Sequence, residues 1–269
     1  MKNETTSYNY LEEFLARIRS KGRYSFTYKE ALDAFDISEQ ALDQNLYRLK
    51  SKSAITAIRK GFYVIIPPEY SASGMLPVNL FIDDLMHSIN KDYYVALLSA
   101  AALYGAAHQQ PMEYFVVSGT PAIRSIRTNK LAINFMVKKQ WSPDDVLKKN
   151  TDAGYINVSS PELTALDLLY YSAKISLNRA FTVLQELTEE MEASKLLKTA
   201  KQYPQTAAIQ RLGYLLDREL KKEQLSASLS KALHGCECYL TPLVANRPKK
   251  GVTDHKWKII VNSEVEGDL

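Results

Sequence analysis

The segment from Ser38 to Ile66 constrains this chain most, because an amphipathic helix there runs straight into a hairpin with no room for another element between them. Ser38 offers an N-cap oxygen, Glu39 suits the positive end of the helix dipole, and Leu42, Leu46 and Leu49 form one narrow apolar stripe. At about 100° per residue the opposite face carries Gln40, Gln44, Tyr47, Arg48 and Ser51, and Lys50 and Lys52 make the C-terminal half basic. Ala54 to Ile58 and Gly61 to Ile66 then read as two short strands joined through Arg59, Lys60 and Gly61. Gly61 can take the positive φ that a tight turn requires.

Upstream, Leu11, Phe14, Leu15 and Ile18 recur at helical spacing between Tyr10 and Arg19, and Gly22 ends that helix. Thr27 followed by Glu30 is a capping-box spacing that opens a second helix, with Ala31, Leu32 and Phe35 on its apolar side. Three helices and a hairpin in this order predict a winged helix-turn-helix over residues 1–70, with Ser38 to Lys52 lying in the major groove of duplex DNA.

The residue types on that surface suit the task. Amides pair with adenine, Arg with guanine, and Tyr or Ser with phosphate or a base edge. The candidate DNA contacts are therefore Gln40, Gln44, Tyr47, Arg48, Lys50, Ser51 and Lys52 on the helix, and Arg59 and Lys60 at the wing turn. From Arg48 to Lys60 there are five basic residues and no acidic one, so the run can approach phosphates without repulsion. The competing reading is a protein-interaction scaffold, since the polar face of any amphipathic helix carries Gln, Arg and Lys.

Pro67-Pro68 ends the hairpin, and the Ser/Gly/Pro-rich stretch to Pro77 marks a boundary near residue 70, leaving 71–269 as a second domain. Apolar residues at 46% and charged residues at 24% are the balance of an ordinary globule, and a net charge of +4 does not by itself demand a polyanionic partner. Helices are expected over Pro77 to Ser88 and over the alanine-rich Val95 to Ala107, and strands over Tyr114 to Val117, Leu131 to Val137 and Tyr155 to Val158. Between the first two strands, Arg124, Arg127 and Lys130 form a basic loop that is a candidate for secondary nucleic-acid contacts.

Ser160-Pro161-Glu162 supplies a cap, an N1 proline and a first-turn acid for a helix. Further helices are expected at Leu177 to Leu187, Ala193 to Tyr203, Ala207 to Leu216 and Gln224 to Leu233, and a last strand at Lys256 to Val261 is expected to return to the sheet. The fold class is α+β: an N-terminal winged helix-turn-helix, then a larger mixed domain with a small sheet and a helical C-terminal bundle.

Chemistry is sparse in the larger part. No phosphate loop, dinucleotide fingerprint or HExxH is present. The pairs Asp83-Asp84 and Asp144-Asp145 are adjacent, so their side chains diverge and make no ready metal clamp. His234, Cys236, Cys238 and His255 carry the right donors for zinc at a spacing that matches no strong pattern, while His87 and His108 are isolated. No catalytic residue, metal or cofactor is predicted. No run of eighteen apolar residues exists, the N-terminus lacks a signal-peptide core, and the two cysteines suit a reducing compartment, so no membrane partner and a cytoplasmic location are expected.

Four fragments carry a resemblance: IRKGFYVIIPPEY at Ile58 to Tyr70, SAAALYGAAHQQ at Ser99 to Gln110, VSSPELTALDLLYY at Val158 to Tyr171, and IQRLGYLLD at Ile209 to Asp217. In this order they resemble the AbiEi family, the antitoxin half of type IV toxin-antitoxin and abortive-infection (phage defence) systems. The resemblance implies a winged helix that binds inverted repeats in the promoter of its own operon and represses it. It further implies a C-terminal domain that counters a nucleotidyltransferase-like AbiEii toxin without a stable complex, and no catalytic set. Gln40, Gln44, Tyr47 and Arg48 are this chain's own, so the operator sequence stays open.

Overall fold

The computed structural model describes residues 4–106 and 113–265. By internal contacts the chain divides into two units. Unit 1 comprises 1–93, 121–135 and 148–157, and unit 2 comprises 94–120, 136–147 and 158–269. No helix among the described residues is long and apolar enough to cross a membrane.

Unit 1 begins with α1 (Glu4–Ser20), which buries Leu11, Phe14, Leu15 and Ile18 as their spacing requires. Gly22 adopts φ +72°, and its N–H reaches the Arg19 carbonyl (2.9 Å) while that of Arg23 reaches Ile18 (3.2 Å). This paired closure satisfies carbonyls that the helix end would otherwise leave open. The next element, β1 (Ser25–Thr27), was not expected from the sequence. Three residues are too few to show an alternation, and only pairing with a distant partner makes them a strand.

The capping box opens α2 (Tyr28–Asp33), as the spacing predicts. Thr27 Oγ1 accepts from the Glu30 N–H (3.1 Å) and Glu30 Oε2 accepts from the Thr27 N–H (2.7 Å). Burial pushes the Glu30 carboxyl up, but the Arg23 guanidinium at 2.9 Å and the Thr27 donors outweigh it and hold the group below its ordinary range. Helix α3 (Glu39–Ser51) has Ser38 as its N-cap and Lys52 as its C-cap, the limits read from the sequence. Strands β2 (Ile55–Arg59) and β3 (Phe62–Ile65) follow, and the antiparallel sheet has the order β1-β3-β2. Leu42, Leu46 and Leu49 pack with Phe14, Phe26, Ile55 and Ile65 into one core.

Farther on, the helix expected from Pro77 is a 3-10 turn (Val78–Leu80) followed by α4 (Ile82–Ser88). The helix expected from Val95 is likewise corrected: β4 (Tyr93–Val95) precedes α5 (Leu97–Leu103). His108 and Gln110 lie outside the described residues. Strands β5 (Tyr114–Ser118), β6 (Ile126–Thr128), β7 (Leu131–Val137), β8 (Val146–Thr151) and β9 (Gly154–Ser159) complete a six-stranded sheet of order β6-β7-β5-β4-β9-β8. It is mixed, with β4 and β9 parallel and β6 and β7 antiparallel. The segment expected as a basic loop thus contains the strand β6, and β8 carries no expectation from the sequence, since neither shows the apolar alternation of a strand.

Helices α6 (Pro161–Tyr170), α7 (Leu177–Leu187), α8 (Ala193–Gln202), α9 (Thr206–Tyr214) and α10 (Glu223–Leu233) follow the predicted order, with a π-helical turn over Leu215–Glu219 after α9. The alanines of α5 allow close packing against α6. The last strand does not rejoin the large sheet. Instead, β12 (Ile259–Val261) pairs in parallel with β10 (Thr241–Pro242) and antiparallel with β11 (Val252–Asp254). Trp257 is buried against Gly213 of α9, and Gln210 donates to the Trp257 carbonyl (2.9 Å), so these contacts hold the small sheet on α9.

Candidate nucleic-acid interface

Helix α3 presents to solvent the face that opposes its buried leucines. Gln40, Gln44, Tyr47, Arg48, Lys50, Ser51 and Lys52 are all exposed, and Tyr47 is 68% accessible. A large aromatic left that open gains nothing from the core. The Ser51 hydroxyl donates to the Tyr47 carbonyl (3.0 Å), which leaves its oxygen lone pairs as acceptors. Asn45, which the sequence reading left out of the stripe, is buried with the leucines at 5% accessibility.

The hairpin turn is built by two local devices. A β-bulge between Ala57 and Arg59 shifts the side-chain alternation, so Ile58 turns inward and Arg59 stays exposed opposite Phe62. Gly61 takes φ +76°, which lets Lys60 and Gly61 close the loop. The Gly61 carbonyl accepts from the Tyr28 N–H (2.8 Å), which fixes the turn to the start of α2. Lys29, absent from the sequence prediction, is exposed and directly follows Tyr28 at that junction. Position alone hid it, because only the tertiary hydrogen bond brings α2 to the turn.

Among the described residues, none of Arg48, Lys50, Arg59 and Lys60 is held in an ion pair. Their charges are therefore uncommitted within the protein. The secondary trio is placed differently. Arg127 lies on β6 and donates to Asn134 across the β6-β7 hairpin (3.1 Å), Lys130 at that hairpin's turn lies against Gly74, and Arg124 is exposed just before β6.

The adjacent acidic pairs diverge as expected. Asp83 accepts from the Tyr93 hydroxyl (2.8 Å) and Asp84 from Ser25 (2.5 Å) and Arg23 (3.3 Å), while Asp144 pairs with Lys198 (2.7 Å) and Asp145 accepts from Thr199 (2.6 Å). Both cysteines are free thiols, and no group of three or more His, Cys, Asp or Glu side chains among the described residues is arranged to hold a metal ion.

Unit 2 contains a polar constellation that the sequence reading missed. Asp167 of α6 is fully buried, and its Oδ1 accepts from Lys138 Nζ and from the Tyr203 hydroxyl, each at 2.7 Å. Its Oδ2 accepts from the Tyr94 hydroxyl at 2.7 Å, and Lys138 Nζ lies 4.2 Å from the centre of the Tyr203 ring. Burial, and then the Asp167 charge, drive both tyrosine hydroxyls well above their ordinary pKa. The available signal was an acid inside a helix whose other positions from Leu163 to Leu169 are almost wholly apolar. A carboxylate there has to bring its own partners.

Comparison with known proteins bears on unit 2 most directly. The model of the AbiEi antitoxin C-terminal domain matches residues 94–218, a span that includes Tyr94, Lys138, Asp167 and Tyr203. No curated protein matches the sequence. Among solved structures, the RV2827C protein from Mycobacterium tuberculosis is similar in fold, with a TM-score of 0.65 at 16% identity over 95% of this chain and 91% of that one. Residues 94–218 therefore form an AbiEi antitoxin C-terminal domain, which supports reading the chain as an antitoxin of a toxin-antitoxin system.

Proposed function

We propose that the protein is a DNA-binding autorepressor as well as an antitoxin, with residues 1–70 acting as a winged helix-turn-helix on inverted repeats in its own promoter. The observation that carries this reading is the exposed outer face of α3 combined with uncommitted cations on α3 and at the hairpin turn. Backbone contacts from Arg59, Lys60 and the C-terminal end of α3 would set the register, and Gln40, Gln44 and Arg48 would read base edges. The remainder of the chain, 71–269, is proposed to counter a nucleotidyltransferase-like AbiEii toxin of a type IV system without a stable complex.

The test is an anisotropy titration on the DNA upstream of the gene and on a scrambled duplex at several salt concentrations. R59A combined with K60A should lower the slope of log K against log salt by about 1.8 if both residues neutralise phosphates. R48A should cost more on the operator than on the scrambled duplex. Equal weak affinity of the intact protein for both duplexes would defeat the repressor reading. Co-expression with the neighbouring toxin gene should restore growth, and the two proteins should elute separately in gel filtration.

A second reading rests on an open groove of about 500 Å³ in unit 1, lined by Tyr10, Phe14, Phe35 and Ile37 together with the charged Glu13, Arg17 and Asp36. Aromatic and aliphatic side chains rimmed by charged ones suit a protein partner. Stable co-elution with the toxin and no DNA affinity would favour this scaffold role.

A further inference from the structure

Beyond Glu39 in its first turn, α3 carries a second exposed acid. From Gln40 to Lys60 the chain carries a single carboxylate, Asp43, which lies one helical turn from both Gln40 and Tyr47 and beside Gln44. It is exposed, and among the described residues it makes no ion pair. It is therefore not there to hold a neighbouring cation in place. An anion on this face opposes binding to phosphates, so its presence needs a compensating gain.

We propose that Asp43 is a specificity-determining residue that accepts a hydrogen bond from the N4 amino group of a cytosine in the major groove. The inference rests on the DNA-binding reading of α3. Three features carry it. Asp43 is in the N-terminal half of α3, the part of a recognition helix that meets base edges. Its flank of the helix is shared with Tyr47 and Lys50 rather than with the buried leucines. The carboxylate also faces two tyrosines: burial first, and then the Asp43 charge, raise the Tyr28 and Tyr63 hydroxyls above their ordinary pKa.

The Tyr28 hydroxyl also lies 3.5 Å from the Glu39 carbonyl, so that ring is anchored at the start of α3. A carboxylate has acceptors only, and of the base edges in the major groove cytosine offers a lone amino donor without a competing acceptor on the same base. Guanine presents only acceptors there and would be rejected.

The experiment is selection of binding sites from a library of duplexes with a randomised central region, using the full-length protein, followed by titration of single-base variants of the selected site. The intact protein should require cytosine at one position by roughly tenfold or more over other bases. D43N should move the preference at that position alone toward adenine, whose N6 and N7 an amide matches, and D43A should abolish it there and nowhere else. Y28F should weaken the same preference partially while the protein keeps its melting temperature.

A selected motif that D43A leaves unchanged, or that it weakens or strengthens uniformly at all positions, would overturn the role of Asp43 while leaving DNA recognition standing. If the intact protein selects no motif, sequence-specific recognition itself fails, and the inference falls with it.

Discussion

Replacing Lys138 by methionine takes the ammonium away from a carboxylate that has no access to water. Asp167 is 0% exposed and the Lys138 side chain 4% exposed, so neither charge can recruit solvent as a substitute partner. Two hydrogen bonds to Asp167 survive in the variant, from Tyr94 and Tyr203, but the net charge stays uncompensated. Breaking a buried pair in this way costs about 3–5 kcal/mol. For a protein of this size that is a drop in Tm of roughly 6–20 °C.

D167N strands the ammonium instead and should cost a similar amount. The double variant K138M/D167N leaves no buried charge, and an amide can still bond both tyrosine hydroxyls. Its loss should fall short of the summed single losses by about 2–3 kcal/mol. Urea unfolding of the four proteins measures this cycle. Additive single losses, or a K138M loss below about 1 kcal/mol, would refute the account of this cluster as a paired buried charge.

Other outcomes follow from local geometry. Ser53 closes α3 at φ +56°, its N–H bonded to Lys50 and that of Ala54 to Leu49, so S53G keeps the closure without the Cβ strain and should stabilise by about 0.5–1 kcal/mol in thermal unfolding. G213A should destabilise by about 1–3 kcal/mol or more, because the new methyl would overlap the buried Trp257 ring; loss of the native tryptophan fluorescence spectrum reports it. Tyr94 and Tyr203 keep their protons well above pH 10, so the stability they contribute is intact below pH 10 and is lost as the pH rises above it. Absorbance at 295 nm should show two phases, exposed tyrosines titrating first and the buried pair ionising only with unfolding.

The elements that were legible in the sequence are those whose signals are local. Thr27 with Glu30, Ser38 before Leu42, Ser160 before Pro161, and Gly61 between two apolar runs each fix a helix start or a turn from within a few residues. The outer face of α3 follows from the same arithmetic, since knowing which three leucines are buried dictates what is left outside. The strands β1, β6 and β8 escaped because all three have mostly polar side chains, and β1 is moreover paired with a strand far along the chain.

Tertiary structure alone decided what the polar residues do. Lys138 and Asp167 are 29 positions apart, and nothing in their local sequence pairs them; burial in one core forces each to find the other. Tyr28 and Gly61 are brought together only by the closing of the β-sheet, which sets the hairpin turn at the start of α2. Asp43, visible in the sequence but without meaning there, gained one when α3 left it exposed, without a cation partner, on the face that carries the glutamines. Local periodicity fixes which way a side chain points. What it meets depends on long-range closure, whose free energy is a property of the whole core and not of any short segment.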